Sequence, residues 1–387
     1  MGRTPPALVN PLMLKWARDQ RGLTLEQAAR KIGIDVDKLE EVESGTAHLS
    51  FAKFRRAAWT YRRPTAVFYL KETPASLRIP SFRRIARHSN RSLSPRLRLE
   101  IRRIYQKRNS AISLSELGSE YDWDYVGSVT LDDDPEKVGQ TVRAMFGISD
   151  MFHVGVRDYH AFNTWRGAIE RVGTLVFLIS GVDVEEMRGF SIAEKPFPVI
   201  AANRRDGVRP RCFTLLHEFS HILLGDSSIC EISPAHGTGN KSHEKFCNHV
   251  AGAALVPANL LLSTRVVKSH TDSEVWSDGE LQQLASRFKV SRDVILRRLL
   301  TLEYTTTEFY GLKHDQWSRQ VVPKKVDTSG PRESIHERVL RTDGLTYTSI
   351  VLDAVHEGTI TAADVSELLG MKLKHLSALE DLVSRQE

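Results

Sequence analysis

Apolar positions near the amino terminus recur at helical spacing and are separated by short turn signals. Residues 12–20 have the spacing of an amphipathic helix. Thr24 can cap a second helix, because Gln27 occupies the capping-box position three residues later. Residues 36–43 and 51–61 continue the helical pattern. The tight turn between the second and third of these four helices predicts a helix-turn-helix.

Farther along the chain, the hydrophobic pattern becomes a mixture of short strands and helices. Residues 136–146 and 159–172 have helical periodicity, whereas residues 174–179 and 197–201 are short apolar runs of β-prone side chains. Helical patterns then dominate to residue 304. A few strands among many helices predict an α+β fold for this region.

Turn-rich and polar stretches indicate how the chain divides into domains. We predict an all-α helix-turn-helix domain over residues 1–72 and a linker with a basic helical segment over residues 73–117. An α+β domain follows over residues 118–320. Residues 321–332 are polar and rich in turn formers, and they begin a helical carboxy-terminal region, residues 321–387.

Composition excludes several classes of protein. Apolar residues are 41% and charged residues 26% of the chain, as in soluble globular proteins. No apolar run approaches the roughly 20 residues that span a bilayer, and the first residues lack the apolar core of a secretory signal. We therefore expect a cytoplasmic protein with no membrane partner. The three cysteines form no Cys-x-x-Cys pair, which argues against a disulfide framework or a thiolate zinc site.

Charge is distributed unevenly around the helix-turn-helix. Residues 78–108 contain eleven Lys or Arg side chains and one acid, which could attract phosphate or an acidic protein, although a solvated helix face explains them equally well. The candidate contacts for nucleic acid or an acidic partner are Lys53, Arg55, Arg56, Arg62, Arg63, Arg83, Arg84 and Arg87. Residues 35–43, the candidate recognition helix, instead hold five acids and one lysine, whereas major-groove readers need Arg, Lys, Asn or Gln. The acidic helix disfavours DNA as a partner, and protein docking or homodimerisation of the module competes with it.

One helical run carries the most specific chemistry in the chain. Residues 213–225 are apolar around nearly the whole helix circumference and end at a glycine, which predicts a buried helix. His217 and His221 lie one turn apart on one face, so their imidazoles can converge on one tetrahedral ion. Glu218 lies about 100° round the helix, where a carboxylate can act as general base on water activated by Zn²⁺. Burying these groups is costly unless a metal compensates.

A catalytic zinc has three protein ligands and one open position, so a third ligand must come from elsewhere in the chain. Residues 242–255 predict a second helix with an apolar face. On spacing alone, His243, Glu244 and His249 compete for this role. Cys247 also lies close in sequence, but a buried core thiol is the better interpretation, since a fourth protein ligand would close the open position.

Two parts of the chain resemble known families. Residues 21–29, Gly33 and residues 43–45 resemble the helix-turn-helix of the Xre or lambda-repressor type, over about residues 10–72. An ordered set of motifs over about residues 70–310 resembles the ImmA/IrrE metallopeptidases. These motifs are residues 188–191, 198–203, Arg209, residues 213–221, 244–257, 290–292 and 297–300.

The ImmA/IrrE resemblance implies a zincin-like metallopeptidase domain in which Glu244 is the third zinc ligand. With the amino-terminal module, the layout resembles Xre-ImmA/IrrE fusion regulators. This resemblance implies a zinc endopeptidase that cleaves a regulatory protein, such as a helix-turn-helix repressor, or that acts with a toxin partner. The alternative is a DNA-binding regulator or antitoxin whose zinc site is structural or sensory.

A peptide substrate also needs a place to bind beside the zinc helix. The candidate strand consists of Val199, Ile200, Ala201, Ala202 and Asn203. Prolines just before this run and a polar turn after it suit an edge strand, because proline cannot donate within a central ladder. An exposed edge could hold an extended peptide by main-chain pairing, whereas a covered edge would bind no ligand.

Overall fold

The computed structural model describes residues 5–74, 93–115, 121–150, 155–230, 241–271, 274–319 and 333–386. Two compact units divide the chain, Met1–Tyr105 and Gln106–Glu387. Helices predominate in both, and the strands form two small sheets, which confirms the predicted α+β class. The domain boundaries at residues 72, 117 and 320 stay predictions. None of the described helices combines the length and the apolar character that crossing a membrane requires.

The first unit contains the predicted helix-turn-helix. Its helices are α1 (Pro11–Arg21), α2 (Leu25–Ile32), α3 (Val36–Ser44) and α4 (Phe51–Tyr61), and a 3-10 turn follows at Thr65–Tyr69. A two-residue strand, β1 (Pro6–Ala7), pairs antiparallel with β2 (Leu49–Ser50). The predicted capping box forms, because the Thr24 hydroxyl accepts from the Gln27 backbone while the Gln27 side chain accepts from the Thr24 backbone. Gly33 ends α2 at a positive φ of 77°, which a residue with a side chain rarely adopts.

A buried ion pair joins α1 to α3 inside this unit. Arg18 donates from Nε to Oε1 of Glu43 at 2.8 Å and from Nη2 to Oε2 at 2.9 Å. Such a bidentate pair fixes the crossing of the two helices more precisely than apolar packing alone. Glu43 is only 9% exposed, so one of the five acids in the candidate recognition helix serves the fold.

The second unit packs helices on a four-stranded sheet. Its strands are β3 (Leu175–Ile179), β4 (Gly189–Ile192), β5 (Val199–Asn203) and β6 (Ile229–Cys230), in the order β3-β5-β4-β6. The helices up to the sheet's last strand are α5 (Pro95–Ser115), in which the boundary between the units falls, α6 (Pro135–Met145), α7 (Asp158–Arg171) and α8 (Val208–Leu223). Those that follow are α9 (Lys241–Leu255), α10 (Ala258–Leu262), α11 (Arg265–Lys268), α12 (Asp278–Phe288), α13 (Arg292–Thr301), α14 (Thr307–Arg319), α15 (Ile335–Asp343), α16 (Leu345–His356), α17 (Ala362–Leu368) and α18 (Leu376–Val383), with a 3-10 turn at Leu373–His375.

The prediction of an exposed edge at residues 199–203 is wrong. Strand β5 is an inner strand that pairs in parallel with β3 and antiparallel with β4, and all five of its residues are buried. Ala201, for example, lies opposite Phe177 on one side and Phe190 on the other. Pro196 and Pro198 precede the strand and therefore do not interrupt its ladder. Both main-chain sides of β5 are already paired, so no peptide can add to it.

Helix α8 lies at the centre of the second unit. It packs against α7, α9, β4 and β5, and twelve of its sixteen residues are buried. Leu215, Phe219 and Ile222 have no exposed surface, and the ring of Phe219 stacks on Tyr125 at 5.5 Å. The buried helix predicted from residues 213–225 is confirmed, although it begins earlier, at Val208.

Among the described bases of residues 78–108, Lys107 and Arg108 are held by partners in the fold. Lys107 donates to Asp343 at 2.5 Å and lies 4.7 Å from the centre of the Tyr347 ring, which ties α5 to the carboxy-terminal helices. Arg108 is 5% exposed and donates to the backbone oxygens of Phe197 at 2.9 Å and Pro196 at 2.8 Å. These two side chains hold the fold and are not available to phosphate or an acidic partner.

Candidate metal centre

Helix α8 carries two histidines and a glutamate that are all buried. His217 and His221 are each 1% exposed, and Glu218 is fully buried. Because the histidines are one turn apart, their Nε2 atoms face each other at 3.2 Å. Two N–H groups cannot point at each other at this distance, so at least one ring directs a lone pair into the gap.

Helix α9 brings a carboxylate to the same gap. Glu244 lies in its first turn, with Oε2 3.4 Å from Nε2 of His217 and Oε1 3.3 Å from Nε2 of His221. Burial raises the pKa of Glu244, but hydrogen bonds and charge interactions with the two histidines outweigh burial and hold the pKa well below its usual value. In the described part of the chain, His217, His221 and Glu244 form a group in which each side chain offers one possible metal-ligand atom, and these atoms all lie within 4.8 Å of one another.

The spacing of these atoms fits a small tetrahedral ion. Bonds of about 2.0–2.1 Å from zinc to nitrogen or oxygen separate the ligand atoms of a tetrahedron by roughly 3.3–3.4 Å. The two Nε2 atoms are 3.2 Å apart, and each lies near a different oxygen of Glu244, His217 3.4 Å from Oε2 and His221 3.3 Å from Oε1. Two imidazoles and one carboxylate are also a ligand set that zinc uses in catalytic sites, with a fourth position left open. His217, His221 and Glu244 could therefore hold Zn²⁺.

The other two candidates for the third ligand have different partners. His243 bonds through Nδ1 to Oδ2 of Asp226 at 3.0 Å. His249 bonds through Nε2 to Oε1 of Glu136 at 2.6 Å, on the side of α9 that faces α6. Cys247 is fully buried and packs in the core, where a thiol is common. The structure thus brings Glu244 to the two histidines, and neither His243 nor His249.

A pair of serines holds Glu218. The hydroxyl of Ser228 donates to Oε2 of Glu218 at 2.8 Å, and the hydroxyl of Ser191 lies 3.0 Å from that of Ser228. Oε1 of Glu218 has no hydrogen-bond partner among the described residues. Burial raises the pKa of Glu218, although the charges of His217 and His221 and the serine hydrogen bonds oppose the rise. One carboxylate oxygen is therefore fixed while the other remains available.

The close approach of β4 to α8 depends on a glycine. A Cβ atom at Gly189 would overlap Cγ2 of Thr214 and would lie 3.1 Å from Oε1 of Glu218. The sequence did not predict the role of Gly189 in this close approach. It also did not predict that Ser191, Ser228 and Asp226 lie beside the site. Gly225 was predicted to end α8, and that signal could have indicated that Asp226 turns back toward His221.

Comparison with known proteins follows the same division of the chain. Residues 169–300 match the family model described as the IrrE N-terminal-like domain, a peptidase family, and residues 13–67 match that of a helix-turn-helix domain. The chain joins a helix-turn-helix domain to an IrrE N-terminal-like domain. His217, Glu218, His221 and Glu244 all lie within the IrrE N-terminal-like domain. Searches of curated proteins and of solved structures found no match to the chain.

Most of the candidate contacts in the helix-turn-helix domain have partners within it. Lys53 and Arg56 donate to the backbone oxygens of Gly33 at 2.5 Å and Lys31 at 2.8 Å, so they stabilise the end of α2 and the turn after it. Arg62 lies 4.5 Å from the ring of Trp59 and Arg63 lies 4.5 Å from the ring of Trp16. Burial lowers the pKa of Arg63. Arg55 is exposed, and Arg83, Arg84 and Arg87 lie outside the described residues.

The exposed face of α3 is acidic. Asp37, Glu40 and Glu41 are exposed on this helix, and Asp35 is exposed at its cap. Lys38, its single base, bonds to Glu41 at 2.9 Å. The negative charge of this face would repel a phosphate backbone.

Proposed function

We propose that the chain is a zinc-dependent endopeptidase that acts in regulation by cleaving a repressor-like protein. The convergence of His217, His221 and Glu244 carries this proposal: the two Nε2 atoms are 3.2 Å apart, and each lies within 3.4 Å of one oxygen of the Glu244 carboxylate. Three protein ligands leave one position of a tetrahedral zinc open, which catalysis requires. A structural site, in which four protein ligands surround the metal, has no open position. The match to a peptidase family over residues 169–300 supports the same reaction class.

Each residue of the site has a distinct part in the proposed hydrolysis. Bound zinc would supply Lewis acidity, which polarises the scissile carbonyl and acidifies water. Glu218 accepts the proton of the attacking water on Oε1, the oxygen left without a described partner, and then delivers it to the leaving amine. Ser228 occupies Oε2 and so restricts rotation of the carboxylate. Proton transfer thus falls to Oε1, a buried atom without a hydrogen-bond partner among the described residues.

The helix-turn-helix domain supports a regulatory protein as the substrate. Its acidic α3 face disfavours DNA and suits docking to a protein with basic residues. A domain of this kind in the same chain would bring a partner protein to the peptidase domain and raise its effective concentration there. The alternative function is a DNA-binding regulator or antitoxin with a structural or sensory zinc site.

The Glu218→Gln variant tests the reaction. Glutamine keeps the size of the side chain but cannot accept the proton, so we expect about one zinc per chain and no cleavage. Full-length Glu218→Gln is used as bait to capture uncut proteins from cells, and each captured protein is then incubated with the zinc-loaded wild type. Glu308→Gln, a change at an exposed position of α14, is the matched control and should cleave normally.

Four results distinguish the outcomes. Cleavage of a captured repressor-like protein by the wild type and by Glu308→Gln, but not by Glu218→Gln, supports the proposal. Equal cleavage by Glu218→Gln would exclude this residue as the base. Loss of zinc from Glu218→Gln would show that the carboxylate supports the metal instead, and zinc binding with no cleavage by the wild type would favour the structural or sensory alternative.

A further inference from the structure

The turn that ends α8 brings an aspartate back toward the metal site. Gly225 adopts a positive φ of 67°, and its N–H donates to the Ile222 oxygen at 3.0 Å. The N–H of Asp226 donates to the oxygen of His221 at 2.9 Å. This pair of bonds is the Schellman arrangement, which reverses the chain at a helix end. Asp226 therefore lies beside the last turn of α8, next to His221.

The carboxylate of Asp226 faces two imidazoles. Its Oδ2 atom lies 3.0 Å from Nδ1 of His243 and 4.0 Å from Nδ1 of His221. His243 directly precedes Glu244 in the first turn of α9. Asp226 consequently links the end of the helix that carries both histidines to the start of the helix that carries the carboxylate ligand.

The position of Asp226 matters because of how histidine binds a metal. A neutral imidazole that binds a metal through Nε2 must carry its hydrogen on Nδ1, and a carboxylate that accepts this hydrogen fixes the ring orientation and increases the basicity of Nε2. Nδ1 of His221 is buried and has no hydrogen-bond partner among the described residues. Asp226 is the acid within 4.0 Å of it, and its side chain is 44% exposed, so it is not locked by packing.

We propose that Asp226 is a positioning residue of the metal centre. From 4.0 Å, beyond hydrogen-bond distance, the negative charge of its carboxylate favours the hydrogen of His221 on Nδ1, which leaves the Nε2 lone pair for the metal. Through His243, the same carboxylate holds the first turn of α9 and hence keeps Glu244 near the histidines. This role rests on the proposed zinc site and adds to it a residue that binds no metal itself.

Zinc affinity of the full-length protein tests the role without a peptide substrate. We expect Asp226→Asn and Asp226→Ala to bind zinc about 10-fold to 100-fold more weakly than the wild type in competition with a chelator, as for other carboxylates that orient metal-binding histidines. Asp183→Asn is the matched control, because this aspartate is 76% exposed and pairs with Arg205 at 2.6 Å. Its zinc affinity should stay within about twofold of the wild-type value, since its charge orients no proposed ligand.

A spectroscopic measurement separates positioning from general damage. In the zinc-loaded wild type, the Nδ1 hydrogen of His221 should give a downfield imidazole proton signal, which the negative charge of Asp226 shifts further downfield. The signal should move upfield in Asp226→Ala while the circular dichroism of the helices is unchanged. A loss of helical signal in both Asp226 variants would mean that the residue supports the fold, and the positioning role would be overturned.

The affinity measurement also separates this role from the zinc site itself. If the wild type binds about one zinc and both Asp226 variants bind it as tightly, the metal centre stands and the positioning role is wrong. If the wild type binds no zinc at all, the proposed metal centre is wrong and the positioning role is overturned with it.

Discussion

Two polar clusters in the second unit use the same residue types to different ends. The His217 cluster consists of His217, Glu218, His221 and Glu244, and the Arg298 cluster consists of Glu136, His249 and Arg298. Both contain residues of α9. In the Arg298 cluster, Glu136 accepts from both terminal nitrogens of Arg298 and bonds to His249 at 2.6 Å.

The clusters differ in where their positive charge comes from. Arg298 is 2% exposed and neutralises Glu136, so the Arg298 cluster is complete within the protein. Among the described residues, no Lys or Arg forms an ion pair with Glu218 or Glu244. Buried carboxylates need a compensating cation, which the zinc proposed for the His217 cluster would supply. Buried His and Glu side chains therefore indicate a metal only where the protein supplies no cation of its own.

The largest effect should come from breaking the complete cluster. Arg298→Ala leaves Glu136 without its cation and also removes a hydrogen bond from Nε to the Val256 oxygen at 2.8 Å. We expect the free energy of unfolding in urea to fall by about 3–5 kcal/mol. Zinc bound per folded molecule should not change. A loss below about 1 kcal/mol would show that the Arg298 cluster is not structural.

The same substitution in the two clusters should have opposite effects on zinc. His217→Ala removes a ligand and should weaken zinc binding by at least about 100-fold, whereas His249→Ala should change it by less than about threefold. Equilibrium dialysis against zinc buffers measures both. If His249→Ala lost most of its zinc affinity and His217→Ala kept all of it, His249 would be the zinc ligand and His217 would not.

Zinc should stabilise the protein only through the His217 cluster. Free zinc at ten times its Kd adds about 1.4 kcal/mol to the free energy of unfolding when it binds the folded state alone. We expect this increase in the wild type and its absence in His217→Ala at the same zinc concentration. Equal stabilisation of both proteins would place the bound zinc at another site.

The smallest effect is the acid sensitivity of the Arg298 cluster. Burial raises the pKa of Glu136, but hydrogen bonds from His249 and Arg298 outweigh it and lower the pKa from 4.5 to about 2. A lowered pKa stabilises the fold above the unfolded value, and this contribution disappears as pH falls from about 4.5 to about 2. Since Glu136 is 27% exposed, we expect roughly 1 kcal/mol from it.

Thermal unfolding between about pH 2 and pH 6 measures this contribution of Glu136 to stability. The stability of the wild type should fall more steeply with acid than that of Glu136→Gln, because glutamine binds no proton. Parallel curves for the two proteins would show that the Glu136 charge contributes nothing.

Local spacing predicted one side of the candidate site, and long-range pairing decided the rest. The i and i+4 positions of His217 and His221 place two imidazoles together in any α-helix. Glu244 was one of three candidates on spacing and was favoured only by a family resemblance. Strand β5 was misjudged because β4, four residues long, was not predicted as a strand, and its pairing with β5 covers the expected edge. Sheet order depends on contacts between distant segments, which a proline pattern does not specify.

The sequence by itself determined the features that depend on neighbouring residues: the capping box at Thr24, the helix end at Gly225, and the shared face of His217 and His221. Their geometry follows from backbone hydrogen bonds within a few residues. Only the tertiary structure decided which side chain meets that face, because α9 could turn Glu244 or His249 toward α8. The packing of α9 against α6 decides it, since it places His249 beside Glu136 and leaves Glu244 at the histidines.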